Sequence, residues 1–148
     1  MRVYPDASFL VSWLYSADVN NGRARTWFSA HQTDDWIVSE WSWFESVNAL
    51  RSLCLASGGP RRELVEGLRR YFKRLLRVGP FDFERVDWDD VLKDANQIST
   101  GYAARQRARA ADTLHVAILE QVQPDLFVTG DRDQTLLARA RGFNAVQF

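Results

Sequence analysis

The sequence predicts an α/β fold, a three-layer α/β/α arrangement around a short, mainly parallel sheet. Short apolar runs alternate with amphipathic helical stretches along the whole length, the pattern of a parallel sheet covered on both faces. Acidic residues follow two of the predicted strands at once, at the edge where open α/β sheets bind their ligands. The 148 residues, 46% hydrophobic and 13% aromatic, suffice for one core. No repeat, low-complexity tract or linker divides them, so a single domain over residues 1–148 is expected.

Val3-Tyr4 reads as a short strand closed by Pro5, after which Asp6 can cap a helix over residues 7–16. Phe9, Leu10, Trp13 and Leu14 give that helix its apolar stripe. Asn20-Asn21-Gly22 turns the chain into a second helix through Trp27 and Phe28. Trp36-Ile37-Val38 is a buried strand, and Ser39 caps a helix reaching about Leu55. Ser57-Gly58-Gly59-Pro60 breaks the chain, with Pro60 suited to the first position of the next helix. That helix extends to Val78 with Leu64, Leu68, Tyr71 and Leu75 on one face. A strand follows over residues 81–86, and Asp87 caps the next helix. Residues 108–121 read as a helix, 126–129 as a strand, 134–141 as a helix stopped by Gly142, and 144–148 as a last strand.

Lysine plus arginine and aspartate plus glutamate balance at 19 each, so net charge argues for no partner. The single Cys54 excludes an internal disulfide, fits a small core residue, and agrees with a reducing cytoplasm. The opening residues lack a signal peptide, and no run approaches the roughly 20 apolar residues of a membrane span. A soluble cytoplasmic protein with no membrane partner is the expectation. Positive charge is nevertheless segregated. Arg61, Arg62, Arg69, Arg70, Lys73, Arg74 and Arg77 face only Glu63 and Glu66, and Arg105, Arg107 and Arg109 form a second cluster. The first cluster is either a solvated helix face or a nucleic-acid surface, on which Arg69, Lys73 and Arg77 could follow a phosphate backbone.

Four acids carry the chemical signal. Asp6 follows the first strand, and Asp131 follows the 126–129 strand after Gly130. Glu45 lies inside the apolar helix Trp41-Ser42-Trp43-Phe44-Glu45, and Asp112 lies in Ala111-Asp112-Thr113-Leu114-His115 among core-like residues. Singly, Asp6 and Asp131 could be helix caps and the other two solvated. Two caps at one sheet edge plus two acids in apolar helices are harder to explain so. Carboxylates about 5 Å apart at an effective dielectric of ~20 repel by roughly 3 kcal/mol per pair, so convergence calls for a divalent cation. His115 shares a helix face with Asp112 and reads as a core residue that steadies polar neighbours rather than as a ligand for a softer metal. His31 carries no signal.

Taken together, Asp6-Ala7-Ser8, Ser39 through Leu50, Asp112-Thr113-Leu114-His115-Val116-Ala117 and Val128-Thr129-Gly130-Asp131-Arg132-Asp133 resemble a PIN-domain ribonuclease of the VapC toxin type, over nearly the whole chain. The resemblance implies a PIN-like fold and an endoribonuclease dependent on Mg²⁺, with Mn²⁺ as an alternative. It implies catalytic Asp6, Glu45, Asp112 and Asp131, with Asp6, Asp112 and Asp131 on the metal and Ser8, Thr129 and Asp133 in support. Asp133 competes with Asp131 for the fourth acidic role, and Asp131 is preferred as nearer the strand end. Hydrolysis by a metal-activated water would leave a 5′-phosphate and a 3′-hydroxyl. A small antitoxin, an RNA substrate and a homodimer are the implied partners. Pro5 departs from the aliphatic residue usual at its position, and the six tryptophans are no family hallmark.

Other classes fit less well. No G-x-G-x-x-G follows the first strand, which excludes the usual dinucleotide site. An aspartyl-nucleophile phosphatase often carries a second Asp where this chain has Ser8. The rivals that remain are a non-catalytic PIN-like module binding RNA or protein, and a housekeeping RNA-processing nuclease.

Overall fold

The computed structural model describes residues 1–101 and 108–148. Its elements run β1 (Arg2–Pro5), α1 (Ala7–Leu14), α2 (Asn21–Ala30), β2 (Asp35–Ser39), α3 (Glu40–Leu53), α4 (Arg62–Val78), β3 (Phe81–Glu84), α5 (Trp88–Gly101), α6 (Ala110–Val122), β4 (Leu126–Thr129), α7 (Arg132–Ala140) and β5 (Ala145–Gln147). Of the second basic cluster, Arg105 and Arg107 lie outside the described residues.

The five strands form one parallel sheet in the order β3-β2-β1-β4-β5. The chain builds outward from β1 to β3, then returns to lay β4 and β5 on the other side. Strand order therefore reverses between β1 and β4, and the loops leaving their carboxyl ends diverge to open a crevice. Register places Tyr4 beside Phe127 and Pro5 beside Val128. Pro5 is tolerated because it ends its strand, where the ladder is closed instead by the Asp6 amide donating to Val128 at 3.0 Å.

Successive strand residues point to opposite faces, and both faces are buried. Val3, Trp36, Val38 and Val128 pack with α1, α2, α3 and α4 on one side. Tyr4, Ile37 and Phe127 pack with α5, α6 and α7 on the other. The first layer is aromatic. Trp36 stacks on Phe9 with centroids 5.2 Å apart and meets Phe28 at 4.7 Å and Trp27 at 5.6 Å. Its indole N–H donates to the His31 carbonyl at 3.0 Å, so the ring is buried without an unmet polar atom. Much of the tryptophan surplus is thereby spent on core.

Several sequence expectations shift. The buried stripe of α4 is Val65 and Phe72, with Leu68, Leu75 and Leu76 packed beside them, while Leu64 and Tyr71 are exposed. Phe72 sets this rotation by docking on Trp43 and Phe81, at 4.9 and 5.9 Å. Pro60 precedes the Arg61 cap instead of opening the helix. α1 stops two residues short of Ser16 because Tyr15 turns to an extended conformation (φ −93°, ψ 106°). α7 begins at Arg132, immediately after its Asp131 cap. No helix among the described residues is long and apolar enough to cross a membrane.

Truncating Trp36 tests how far the aromatic layer holds the fold. Trp36→Ala should destabilise by about 3–5 kcal/mol in chemical denaturation, as large core aromatics do. A loss below about 1 kcal/mol would mean that the neighbouring rings close the cavity.

Candidate active site at the carboxyl edge of the sheet

β1 runs straight into Asp6, whose extended backbone (φ −79°, ψ 177°) lets its carboxylate cap α1 by accepting the Phe9 amide at 2.9 Å. Ser8 Oγ donates to both carboxylate oxygens, at 2.7 and 2.9 Å, and Thr129 Oγ1 donates from β4 at 2.6 Å. Asp6 is 4% exposed. Burial raises its pKa above the ordinary aspartate value, and His115 with the bonds from Thr129, Phe9 and Ser8 offsets only part of that. Among the described residues its hydrogen-bond partners are all neutral.

The two hydroxyls each work twice. Thr129 Oγ1 accepts the Asp131 amide at 2.9 Å, and Ser8 Oγ accepts the Gly130 amide at 2.7 Å. The turn from β4 into α7 is thereby tied to Asp6. At Gly130 a Cβ would stand 3.0 Å from Ser8 Oγ and 3.1 Å from the Phe148 ring, so any larger residue there requires these side chains to shift.

Asp131 caps α7, its Oδ1 accepting the Asp133 and Gln134 amides at 2.8 and 3.0 Å. Asp112 is buried in the first turn of α6, where the helix dipole favours negative charge. Its Oδ2 accepts the Arg109 backbone N–H at 2.7 Å. Glu45 is half-buried on α3, and its Oε2 is held at 2.6 Å by Nε2 of the buried His115. An ionised carboxylate only accepts, so Nε2 carries the hydrogen of that bond. The Nδ1 of His115 meets the Tyr4 hydroxyl at 3.2 Å, and that hydroxyl also bonds Ser39 and Ser42 at 2.8 and 2.7 Å. Burial raises the Tyr4 pKa, which keeps the phenol neutral. The imidazole is thus engaged on both sides within the protein, as a strut between the core and Glu45.

Asp6, Glu45, Asp112 and Asp131 line one cleft of about 370 Å³. Ser8 lines it as well, and Thr129 lies beneath, bonded to Asp6. Asp133 gives its backbone amide to Asp131, and its side chain is not among those lining the cleft. Arg69, Lys73 and Arg77 line a different cleft that shares no residue with this one. Sequence reasoning missed Asp18, Gln134 and the placement of Arg109 in the acidic cleft. Gln134 had a readable signal, three residues into a capped helix beside Asp131. Asp18, in the turn after α1, had none.

Mg²⁺ and Mn²⁺ take oxygen ligands, and this cleft offers carboxylates of the right kind. Gln134 adds a buried Oε1 with no hydrogen-bond partner among the described residues, its side chain 2% exposed. The donor set therefore fits a hard divalent ion. In the arrangement described, however, no three His, Cys, Asp or Glu side chains among the described residues stand close enough to hold one. Arg109 bridges two of them instead, with Nη2 3.1 Å from Asp131 Oδ2 and Nε 3.4 Å from Asp112 Oδ2. Its pKa is raised, chiefly by Asp112.

A parallel sheet in this order, with acids gathered at its switch point, defines a PIN-like domain. The sequence matches the PIN domain family over residues 3–140, and the chain belongs to that family. Among solved structures it is similar to VapC20 of Mycobacterium tuberculosis, a sarcin–ricin loop cleaving toxin, with TM-score 0.70 and 18% identity over 99% of each chain. It is also similar to FitAcB of Neisseria gonorrhoeae, with TM-score 0.66 and 17% identity over 98% of this chain and 96% of that one. FitAB bound to an IR36 DNA fragment gives TM-score 0.70 and 19% identity over 98% and 94%. At these identities the likeness is one of fold. A search of curated proteins finds no match.

Replacing Asp6 reads out the strain of its burial. Because its folded pKa is raised, the residue stabilises the fold least where it is ionised, and stability is lost as pH rises through the raised value. In chelator at neutral pH, Asp6→Asn should melt a few degrees higher than the unsubstituted chain, corresponding to roughly 1 kcal/mol. The difference should shrink as pH falls toward the ordinary carboxylate range. A lower melting temperature for Asp6→Asn at neutral pH would show instead that its hydrogen bonds outweigh desolvation.

Proposed function

We propose that this chain is a divalent-metal-dependent endoribonuclease, using Mg²⁺ or Mn²⁺, that acts in the cytoplasm as the toxin of a toxin–antitoxin pair. The observation that carries this reading is the convergence of Asp6, Glu45, Asp112 and Asp131 on one cleft, with the buried Asp6 given no cationic hydrogen-bond partner among the described residues. Asp6, Asp112 and Asp131 would hold the ion, and Ser8 and Thr129 keep Asp6 aimed at it. When bound, the ion lowers the pKa of a water and neutralises charge on the phosphate. Glu45, held at Oε2 by His115, would keep Oε1 free to accept a proton from the attacking water. Cleaved RNA would carry a 5′-phosphate and a 3′-hydroxyl.

Substrate binding is assigned to α4. Arg69, Lys73 and Arg77 line a cleft of about 430 Å³ with Trp43, Leu76 and Phe83. Cations above aromatic and apolar side chains suit single-stranded RNA, whose phosphates and base faces need both. The partner protein is proposed from the fold shared with VapC20, a sarcin–ricin loop cleaving toxin. An antitoxin segment that brings an arginine to the acids would neutralise the cleft and block RNA together. A homodimer is proposed on the family resemblance alone.

One observation favours a second reading. The Arg109 bridge across Asp112 and Asp131 neutralises part of the cleft without metal, as a non-catalytic RNA- or protein-binding module would require.

Incubation with total RNA decides between them. Cleavage should need Mg²⁺ or Mn²⁺, stop with EDTA, and fall to background in Asp6→Asn and Asp112→Asn. Glu45→Gln and Asp131→Asn should be severe and Asp133→Asn mild. Chelator-resistant cleavage, or 2′,3′-cyclic phosphate ends, would sink the mechanism, and no cleavage at all would leave the binding module. Neutralising Arg69, Lys73 and Arg77 should weaken RNA binding and flatten its salt dependence by up to about 2–3 in log–log slope. An unchanged slope would return α4 to a solvated face. Expressed alone, the chain should be toxic and be relieved by a co-expressed small partner, whereas a harmless but active chain would point to RNA processing.

A further inference from the structure

We propose that Arg109 is a resident cation of the acidic cleft, competing with divalent metal for Asp112 and Asp131, so that its side chain sets how much metal the chain needs. The inference rests on the metal-dependent reading of the cleft and concerns how that metal is admitted.

The cleft is lined by Asp6, Asp18, Glu45, Asp112 and Asp131, and Arg109 is the one basic side chain among the described residues that line it. Its two contacts fall on particular oxygens. Asp131 Oδ1 is already engaged by two α7 amides, which leaves Oδ2 as the oxygen available to a ligand, and Arg109 Nη2 takes it at 3.1 Å. Asp112 Oδ2 accepts both the Arg109 backbone amide and, at 3.4 Å, its Nε. A planar guanidinium can span two carboxylates and stay charged while doing so. It therefore relieves the same repulsion that a metal would relieve, and at Asp131 it does so with the oxygen a metal would use.

The bridge is built to yield. The Arg109 side chain is 74% exposed, and exposed ion pairs are weak. A divalent ion carries twice the charge and can take several of these oxygens together. Withdrawal needs no backbone change, since Arg109 stands outside α6 in an extended conformation (φ −86°, ψ 166°) and only its side chain reaches back. The cap also survives substitution. Asp112 is bonded to the backbone N–H of residue 109, which glutamine keeps. A purely structural role for the side chain would make its loss weaken metal binding or leave it unchanged, whereas competition makes the loss strengthen it.

Isothermal titration of the metal-stripped full chain with Mn²⁺ tests this. Arg109→Gln should bind Mn²⁺ about three- to tenfold more tightly than the unsubstituted chain. It should also melt lower in chelator and gain more from added Mn²⁺. Equal or weaker Mn²⁺ binding by folded Arg109→Gln overturns the competition and leaves metal dependence standing. Absence of Mn²⁺ binding by both chains overturns the two together. Should the variant fail to fold, the unsubstituted chain still answers. On titration with Mg²⁺, the ¹⁵N resonance of Arg109 Nε should move toward that of free arginine with the midpoint of metal binding, and a signal unmoved at saturation overturns the proposal.

Discussion

A carboxylate that is almost wholly buried loses its hydration, and Asp6 recovers part of it from three donors: the Phe9 amide and Ser8 hydroxyl in the first turn of α1, and the Thr129 hydroxyl at the end of β4. Each donor is positioned by something larger. The α1 amide is available because β1 ends at Pro5 and the helix starts at once. The Thr129 hydroxyl is available because β4 lies beside β1 in parallel register. Ser8 and Thr129 then accept amides from the turn that carries Asp131, so satisfying one buried acid also places a second. Loss of the Thr129 hydroxyl would deprive both acids, which makes it more than an accessory to the strand. The aromatic layer serves the same end, since Phe9 follows Asp6 by three positions and anchors α1 against Trp36.

Glu45 is held by a different logic. It sits near the middle of α3, away from any cap, and depends on a buried polar chain running from Ser39 and Ser42 through Tyr4 to His115. Such a chain is stiff only when each member is satisfied. The side chain of Trp43, two positions earlier, faces the α4 cleft instead. One helix thus separates an acidic surface from a basic one, and a neutral overall charge conceals two strongly charged sites.

The parts of this arrangement that are local were legible in the sequence. Asp6, Ser39 and Asp131 were readable as caps because capping depends on a few neighbouring residues, and in the structure they do cap. Strand alternation with helices was enough for the parallel sheet. The gathering of Asp6, Glu45, Asp112 and Asp131 needed topology, and the sequence offered it through the strand-end positions of Asp6 and Asp131 and through resemblance. The α4 stripe was misread because Leu64 and Tyr71 have the same spacing as Val65 and Phe72; only the docking of Phe72 on Trp43 separates the two sets. Arg109 was visible as one of a basic group next to Asp112, but the direction of an exposed side chain is decided by tertiary charge. The same holds for Asp18, whose nearest bond is to its own turn.

The hydrogen bond between Thr129 and Asp6 joins positions 123 residues apart. A chain emerging from the ribosome displays Asp6 first, yet it has neither β4 nor the turn beyond it until most of its length has been made. The sheet's central pairing is equally distant in sequence, so local structure cannot stand in for it while synthesis continues. Any activity that depends on these acids together is therefore withheld from the nascent polypeptide until β4 and the turn that carries Asp131 have been made.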